Sequence, residues 1–271
     1  DDHFGNQLGV VPALMAAAAA TSSILVGTHV AGVDFRNPVL FAKECATIDL
    51  LSEGRFTLGI GAGWSEKDYA ISGIQQDNAL TRIGRVREAV QIMKGLWGEG
   101  PFSFEGEHYR VAEVDAVPKP VSRIPIMIGG GGPKILAVAA EHADIVGINP
   151  KIVGRSINPE SMATAAADAM DEKVAAVRSA AGAKFDDLEL QVQIFKTVVT
   201  DQPQQVCEQL GPAFGLPPDV MLDAPFFQIG TVEQITEDLQ AMRERWGISS
   251  ILFQSDGVVP MAPVVAQLAG T

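Results

Sequence analysis

The chain has 271 residues, 47% of them hydrophobic and 20% charged, which is ample material for a sizeable core. Twenty basic against 33 acidic residues leave a net charge of −13, which argues against nucleic acid or an anionic membrane surface as the main partner. The two cysteines, Cys45 and Cys207, read as free thiols in a reducing cytoplasm, and the four histidines show no metal-ligand spacing, so no metal is expected.

In chain order, Asp1–Phe4 reads as the tail of a strand. Residues 13–30, ALMAAAAATSSILVGTHV, imitate a signal peptide. They lack a basic flank, and Thr21, Ser22 and Ser23 break the apolar run before it could span a bilayer. The stretch therefore predicts a buried Ala-rich helix running into a strand over 24–30. Residues 37–54 predict a helix, with Asn37 as N-cap, Pro38 in the first turn and Gly54 near the C-cap. Residues 55–63 predict a strand ending in glycines. A helix follows over 82–97, with Val86, Ala89, Val90, Met93 and Trp97 along one face. A hairpin insertion is expected at about 101–120, turning at Glu105-Gly106. Residues 125–131 predict a strand, 133–143 a helix and 144–148 another strand. A long Ala-rich helix (160–181) and a strand (188–200) follow. Thr231 and Gln234 form a capping-box signature opening a helix over 231–247, and 249–254 is the last strand. Residues 150–230 otherwise carry little signal.

Short apolar runs alternating with helical periods predict a parallel sheet with helices outside it. Six or seven strands are countable, and a closed (β/α)8 barrel needs eight. The chain opens at a strand end without Met, so the first strand and its helix are expected to be missing from this numbering. The alternative is an open doubly wound sheet, whose GxGxxG fingerprint is absent. Either fold binds ligands at the carboxyl ends of its strands. That places Asp2, His3, His29, Val30, the glycines of GIGAGW (59–64) and the run Gly129–Gly132 at the candidate site. Four adjacent glycines exceed what a turn requires and suit a phosphate held by backbone N–H groups at a helix N-terminus. His3 and His29 are candidate proton carriers, and Asp2 is an orienting acceptor. Trp64 is a candidate pocket wall. Arg55 reads as a structural pairing residue, Lys151 and Arg155 as residues of a solvated loop that could alternatively meet an anionic group, and His108 and His142 receive no role.

Taken together, DHF (2–4), residues 16–30, residues 37–64, RVREAVQIMKGLW (85–97), FEGEHYRV (104–111) and residues 125–144 resemble the bacterial luciferase-like superfamily. The resemblance covers about 1–148 well and the tail weakly. It implies a single TIM-type barrel domain, 1–271, that carries coenzyme F420 or FMN. The chain is most similar to the F420-dependent branch, which implies a cytoplasmic, homodimeric oxidoreductase transferring a hydride between the deazaflavin and a small organic substrate. An FMN-dependent monooxygenase with a partner reductase is the alternative. The resemblance further implies that Asp2 and His3 lie by the coenzyme ring, with His3 catalytic. A non-proline cis peptide at His29–Val30 backs the ring. Gly61 and Gly63 belong to the cofactor site, and Gly130, Gly131 and Gly132 hold a phosphate. Trp64 stands where the sugar-phosphate dehydrogenase of this branch carries an acid, which argues against a sugar phosphate as substrate.

Overall fold

The computed structural model describes residues 2–154 and 156–270. Arg155 and the expected strand residue Asp1 therefore lie outside the described residues. The chain forms two compact units, residues 1–129 with 138–145, and residues 130–137 with 146–271.

The first unit runs α1 (Val10–Ala20), β1 (Val26–Gly27), β2 (Ala31–Gly32), α2 (Pro38–Leu51), β3 (Phe56–Gly61), α3 (Glu66–Ser72), α4 (Ala79–Trp97), the hairpin β4 (Phe102–Glu105) and β5 (Arg110–Val114), and β6 (Ile126–Gly130). Its centre is β3, which pairs in parallel with β1, β2 and β6. Leu58 and Ile60 of β3 and Ile126 and Ile128 of β6 are all buried, as befits strands covered on both faces. Helix α2 begins where its sequence predicts, because the Asn37 side chain accepts from the N–H groups of Val39 and Leu40. Helix α4 begins three residues earlier than expected, because Asn78 caps it in the same way. The expected hairpin is antiparallel. Its turn is pinned to α4 by the buried Glu88 carboxylate, which accepts from the backbone N–H groups of Glu107, His108 and Tyr109. Arg55 is a structural tie: its guanidinium donates to the carbonyls of Ser52, Ile24 and Ala18 and to the Thr21 hydroxyl.

Two expectations for this unit fail. The Ala-rich helix buries only Val10 and Ala18, since a methyl side chain offers little apolar area to draw it into a core. The strand over 24–30 is not continuous. It is reduced to β1, a break at a cis His29–Val30 peptide, and then β2, while Ile24 and Leu25 are 64% and 69% exposed.

Helix α5 (Pro133–His142) and β7 (Ile145–Ile148) lead into the second unit. It continues with α6 (Pro159–Ala163), α7 (Ala167–Ala181), β8 (Glu189–Ile194), β9 (Lys196–Val199), α8 (Pro203–Phe214), α9 (Pro218–Asp223), β10 (Phe227–Gly230), α10 (Val232–Trp246), β11 (Ile248–Phe253) and α11 (Ala262–Leu268). Strand β7 pairs β8, which pairs β11 in parallel, and β9 pairs β10 in parallel. The capping box at Thr231 and Gln234 forms as expected. The long strand over 188–200 breaks at Phe195, whose N–H donates to the Phe226 carbonyl, because its two halves take different partners. The helix over 160–181 is likewise two helices. Thr164 ends α6, and Ala166 adopts an extended conformation before α7. Helices α8, α9 and α11 and strand β10 were not predicted.

Each unit is thus an α/β assembly on parallel strands. Strands β1 and β11 each have a single ladder partner, so the described residues do not themselves close the expected eight-stranded barrel. Among the described residues no helix is long and apolar enough to cross a membrane, and no three His, Cys, Asp or Glu side chains gather to hold a metal ion.

Candidate functional site

In the first unit, the segment preceding α1 is tied down by two carboxylates. The Asp2 carboxylate accepts from the Gly32 N–H at 2.8 Å and from the Arg36 guanidinium at 2.5 Å. The Asp68 carboxylate accepts from the Phe4 N–H at 3.2 Å and lies 2.6 Å from His3 Nδ1. Asp68 is buried, while the His3 side chain is one-third exposed. Burial by itself would raise the Asp68 carboxyl's pKa; the bonds from His3, Phe4 and Ser65 outweigh it and hold the group below the usual carboxylate range. An ionised carboxylate only accepts, so His3 donates from Nδ1, and Nε2 is the nitrogen left for a ligand. Trp64 stands edge-on to the His3 ring, with centroids 5.5 Å apart. The Trp64 carbonyl is held by the side-chain amide of Gln76 at 3.1 Å.

The glycines of β3 and the following turn are required by the chain's own packing. A Cβ on Gly61 would lie 2.7 Å from Val30 Cγ2. Gly63 has φ +70° and sits under the Tyr69 hydroxyl, which a Cβ would meet at 2.4 Å. Arg82 clamps this turn by donating to the carbonyls of Ala62 and Gly63, and Tyr69 donates to Asp34 at 2.8 Å.

The glycine run divides in the same way. In the second unit a Cβ on Gly130 would strike Ile135 Cγ2 at 2.3 Å, and one on Gly131 would strike the Asn149 carbonyl oxygen at 2.3 Å. The segment after β7 therefore packs directly on this turn, and the Asn149 N–H donates to the Gly130 carbonyl at 3.0 Å. Gly132 differs: a Cβ there would meet nothing nearer than Lys151 Cγ, at 3.8 Å. Its carbonyl accepts from the Leu136 N–H as the first bond of α5, so Gly132 caps a ten-residue helix with no crowding atom beside it. Bare backbone at a helix N-terminus fits a phosphate group. Of Gly130, Gly131 and Gly132, Gly132 is the least crowded.

The structure thus gathers Asp2, His3 and Trp64 into one cluster with Asp68, puts Val30 against Gly61, and makes the His29–Val30 peptide cis. Gly130, Gly131 and Gly132 lead into α5 in the second unit. Sequence reasoning missed Asp68, Arg82 and Arg36. A signal for Asp68 existed: Ser65-x-x-Asp68 has capping-box spacing, and Ser65 does cap α3. The Asp68 carboxylate also bonds the His3 ring, which the local spacing does not reveal.

A family described as luciferase-like monooxygenase matches residues 1–250. An F420-dependent glucose-6-phosphate dehydrogenase of Amycolatopsis mediterranei is 32% identical over 130 residues, which are 48% of this chain and 39% of that protein. The matched region is thus well under half the length of that relative. Among solved structures, the coenzyme F420-dependent tetrahydromethanopterin reductase from Methanopyrus kandleri superposes with a TM-score of 0.74 at 19% identity, over 98% of this chain and 88% of that one. A monooxygenase from Streptomyces bottropensis gives 0.71 at 20% identity, over 96% and 82%. These two likenesses establish a shared fold.

Proposed function

For a chain that belongs to the luciferase-like monooxygenase family, we propose an F420-dependent oxidoreductase acting on a small organic substrate, built as one luciferase-like barrel domain in a cytoplasmic homodimer. The observation that carries this reading is the His3–Asp68 pair, with Nδ1 committed to the carboxylate and Nε2 left to a ligand beside Trp64. F420, when bound, supplies two-electron hydride transfer. The accompanying proton enters or leaves at His3 Nε2, and Asp68 holds the ring in the tautomer that this requires. Asp2, locked between Gly32 and Arg36, fixes the backbone that carries His3 and is not itself a proton carrier. Trp64 offers an aromatic wall in place of a charged group, which favours a substrate with an apolar surface over a sugar phosphate. His29 and Val30 would belong to the coenzyme site. The turn at Gly130–Gly132 would hold the coenzyme phosphate, with Gly132 its least crowded residue.

An FMN-dependent monooxygenase served by a partner reductase is the second reading, favoured by the fold shared with a monooxygenase. Fluorescence titration of the purified full-length protein with F420 and with FMN separates the two. Tight F420 binding with negligible FMN binding supports the first reading, and the reverse supports the second. Binding of neither overturns the coenzyme reading.

A further inference from the structure

Helix α7 carries a lysine where a core would normally place an apolar residue. Lys173 is 7% exposed, and its ammonium stands 5.6 Å from the centre of the fully buried Phe226 ring. Burial pushes its pKa down to about 8, against a smaller opposing pull from Glu172, so at neutral pH it is still a charged donor. A methionine would fill this space without desolvating a charge, so packing alone does not explain the lysine.

Its hydrogen bond to a helix end shows what the charge does. Lys173 Nζ donates to the carbonyl of Thr164, the residue that ends α6. Thr164 Oγ1 in turn accepts the backbone N–H of Lys151 at 2.7 Å and donates to the Ser161 carbonyl at 2.7 Å. Ser161 Oγ accepts the Val153 N–H at 2.9 Å, and Asn158 Nδ2 donates to the Val153 carbonyl at 2.8 Å. The segment 149–153 is therefore held on α6, and α6 is held on α7 through Lys173. The same segment supplies the Asn149 and Pro150 backbone packed onto Gly131, and the Lys151 side chain beside Gly132. A chain of named contacts within the second unit thus leads from one buried ammonium to the wall of the glycine turn.

We propose that Lys173 is a positioning residue that sets segment 149–153 against the Gly130–Gly132 turn and thereby sets the affinity of that turn for the coenzyme phosphate. The inference rests on the reading of this turn as the phosphate site. Lys173 touches no ligand; it acts through Thr164 and Lys151. The charge-assisted bond to a single carbonyl fixes direction, which an apolar side chain of equal length would not.

The test uses the full-length protein and three variants: Lys173→Met, Lys173→Arg and Thr164→Val. F420 and FMN affinities are read by fluorescence titration, stability by thermal unfolding, and the Lys151 and Val153 amides by hydrogen exchange. Lys173→Met is expected to weaken binding of the preferred coenzyme by about tenfold and speed exchange at both amides, while the unfolding temperature is unchanged or higher. Thr164→Val, which removes the hydroxyl acceptor and keeps the carbonyl, is expected to weaken binding similarly. Lys173→Arg, which restores a donor, is expected to recover most of the affinity. Unchanged affinity in Lys173→Met, or affinity and unfolding temperature falling together without rescue by arginine, overturns the proposal. If the wild-type protein binds neither coenzyme, the phosphate reading falls and takes the affinity claim with it. The amide exchange still decides separately whether Lys173 holds the segment.

Discussion

His3 Nδ1 and Asp68 Oδ2 lie 2.6 Å apart although 65 positions separate them in sequence. One is at the start of the described chain; the other is on α3. The bond commits one ring nitrogen and leaves the second for chemistry, so replacing either partner has different consequences. His3→Ala is expected to lower turnover by about 10²–10⁴-fold with coenzyme binding largely kept, because it removes the proton carrier. Steady-state kinetics beside a coenzyme titration check this, and turnover within a few-fold of wild type would remove His3 from the mechanism.

Asp68 also ties stability to pH. Its carboxyl titrates below the usual range in the folded protein, so its contribution is complete above the ordinary carboxylate pKa and is lost as pH falls through the depressed folded value. Asp68→Asn is expected to cost about 1–2 kcal/mol at neutral pH and to flatten the decline in stability between neutral pH and about pH 3. Urea unfolding across that range is the measurement, and parallel pH curves for the two proteins would contradict the assignment.

The two neighbouring glycines Gly131 and Gly132 should respond differently to the same substitution. Gly131→Ala forces a Cβ into the Asn149 carbonyl and should destabilise the protein by about 1–3 kcal/mol. Gly132→Ala meets no backbone and should cost about 1 kcal/mol or less, as at other helix caps, while weakening coenzyme binding. Thermal unfolding and fluorescence titration of both variants give the comparison. Equal stability losses would show that room at Gly132 is not special.

Both thiols should be inert in the native protein. Cys45 and Cys207 are fully buried, and burial raises both thiol pKa values, with Glu44 adding to the rise at Cys45. Reaction with a thiol reagent at neutral pH is expected only as fast as the protein unfolds. Rapid modification of either thiol in folded protein would contradict this.

Local signals settled what local physics controls. Asn37 with Pro38, and Thr231 with Gln234, fixed where α2 and α10 begin, because a cap is satisfied within three or four residues of itself. The apolar runs at 56–61 and 126–130 identified β3 and β6, and the run of residue types from Asp2 to Gly132 was enough to expect the family, the cis His29–Val30 peptide and the place of the glycine turn. Tertiary structure alone decided which glycines are bare for the chain's own sake. Gly61, Gly130 and Gly131 are excluded from bearing a Cβ by Val30, Ile135 and Asn149, whereas a Cβ on Gly132 would make only an ordinary contact with Lys151 Cγ. It also decided that the strand over 188–200 breaks at Phe195 to serve two partners, and that Asp68 bonds His3, 65 positions away. Periodicity and capping report a residue's immediate neighbours along the chain. Partner choice, close backbone approach and the company of a buried charge depend on segments that are distant in sequence and meet only once the chain has folded.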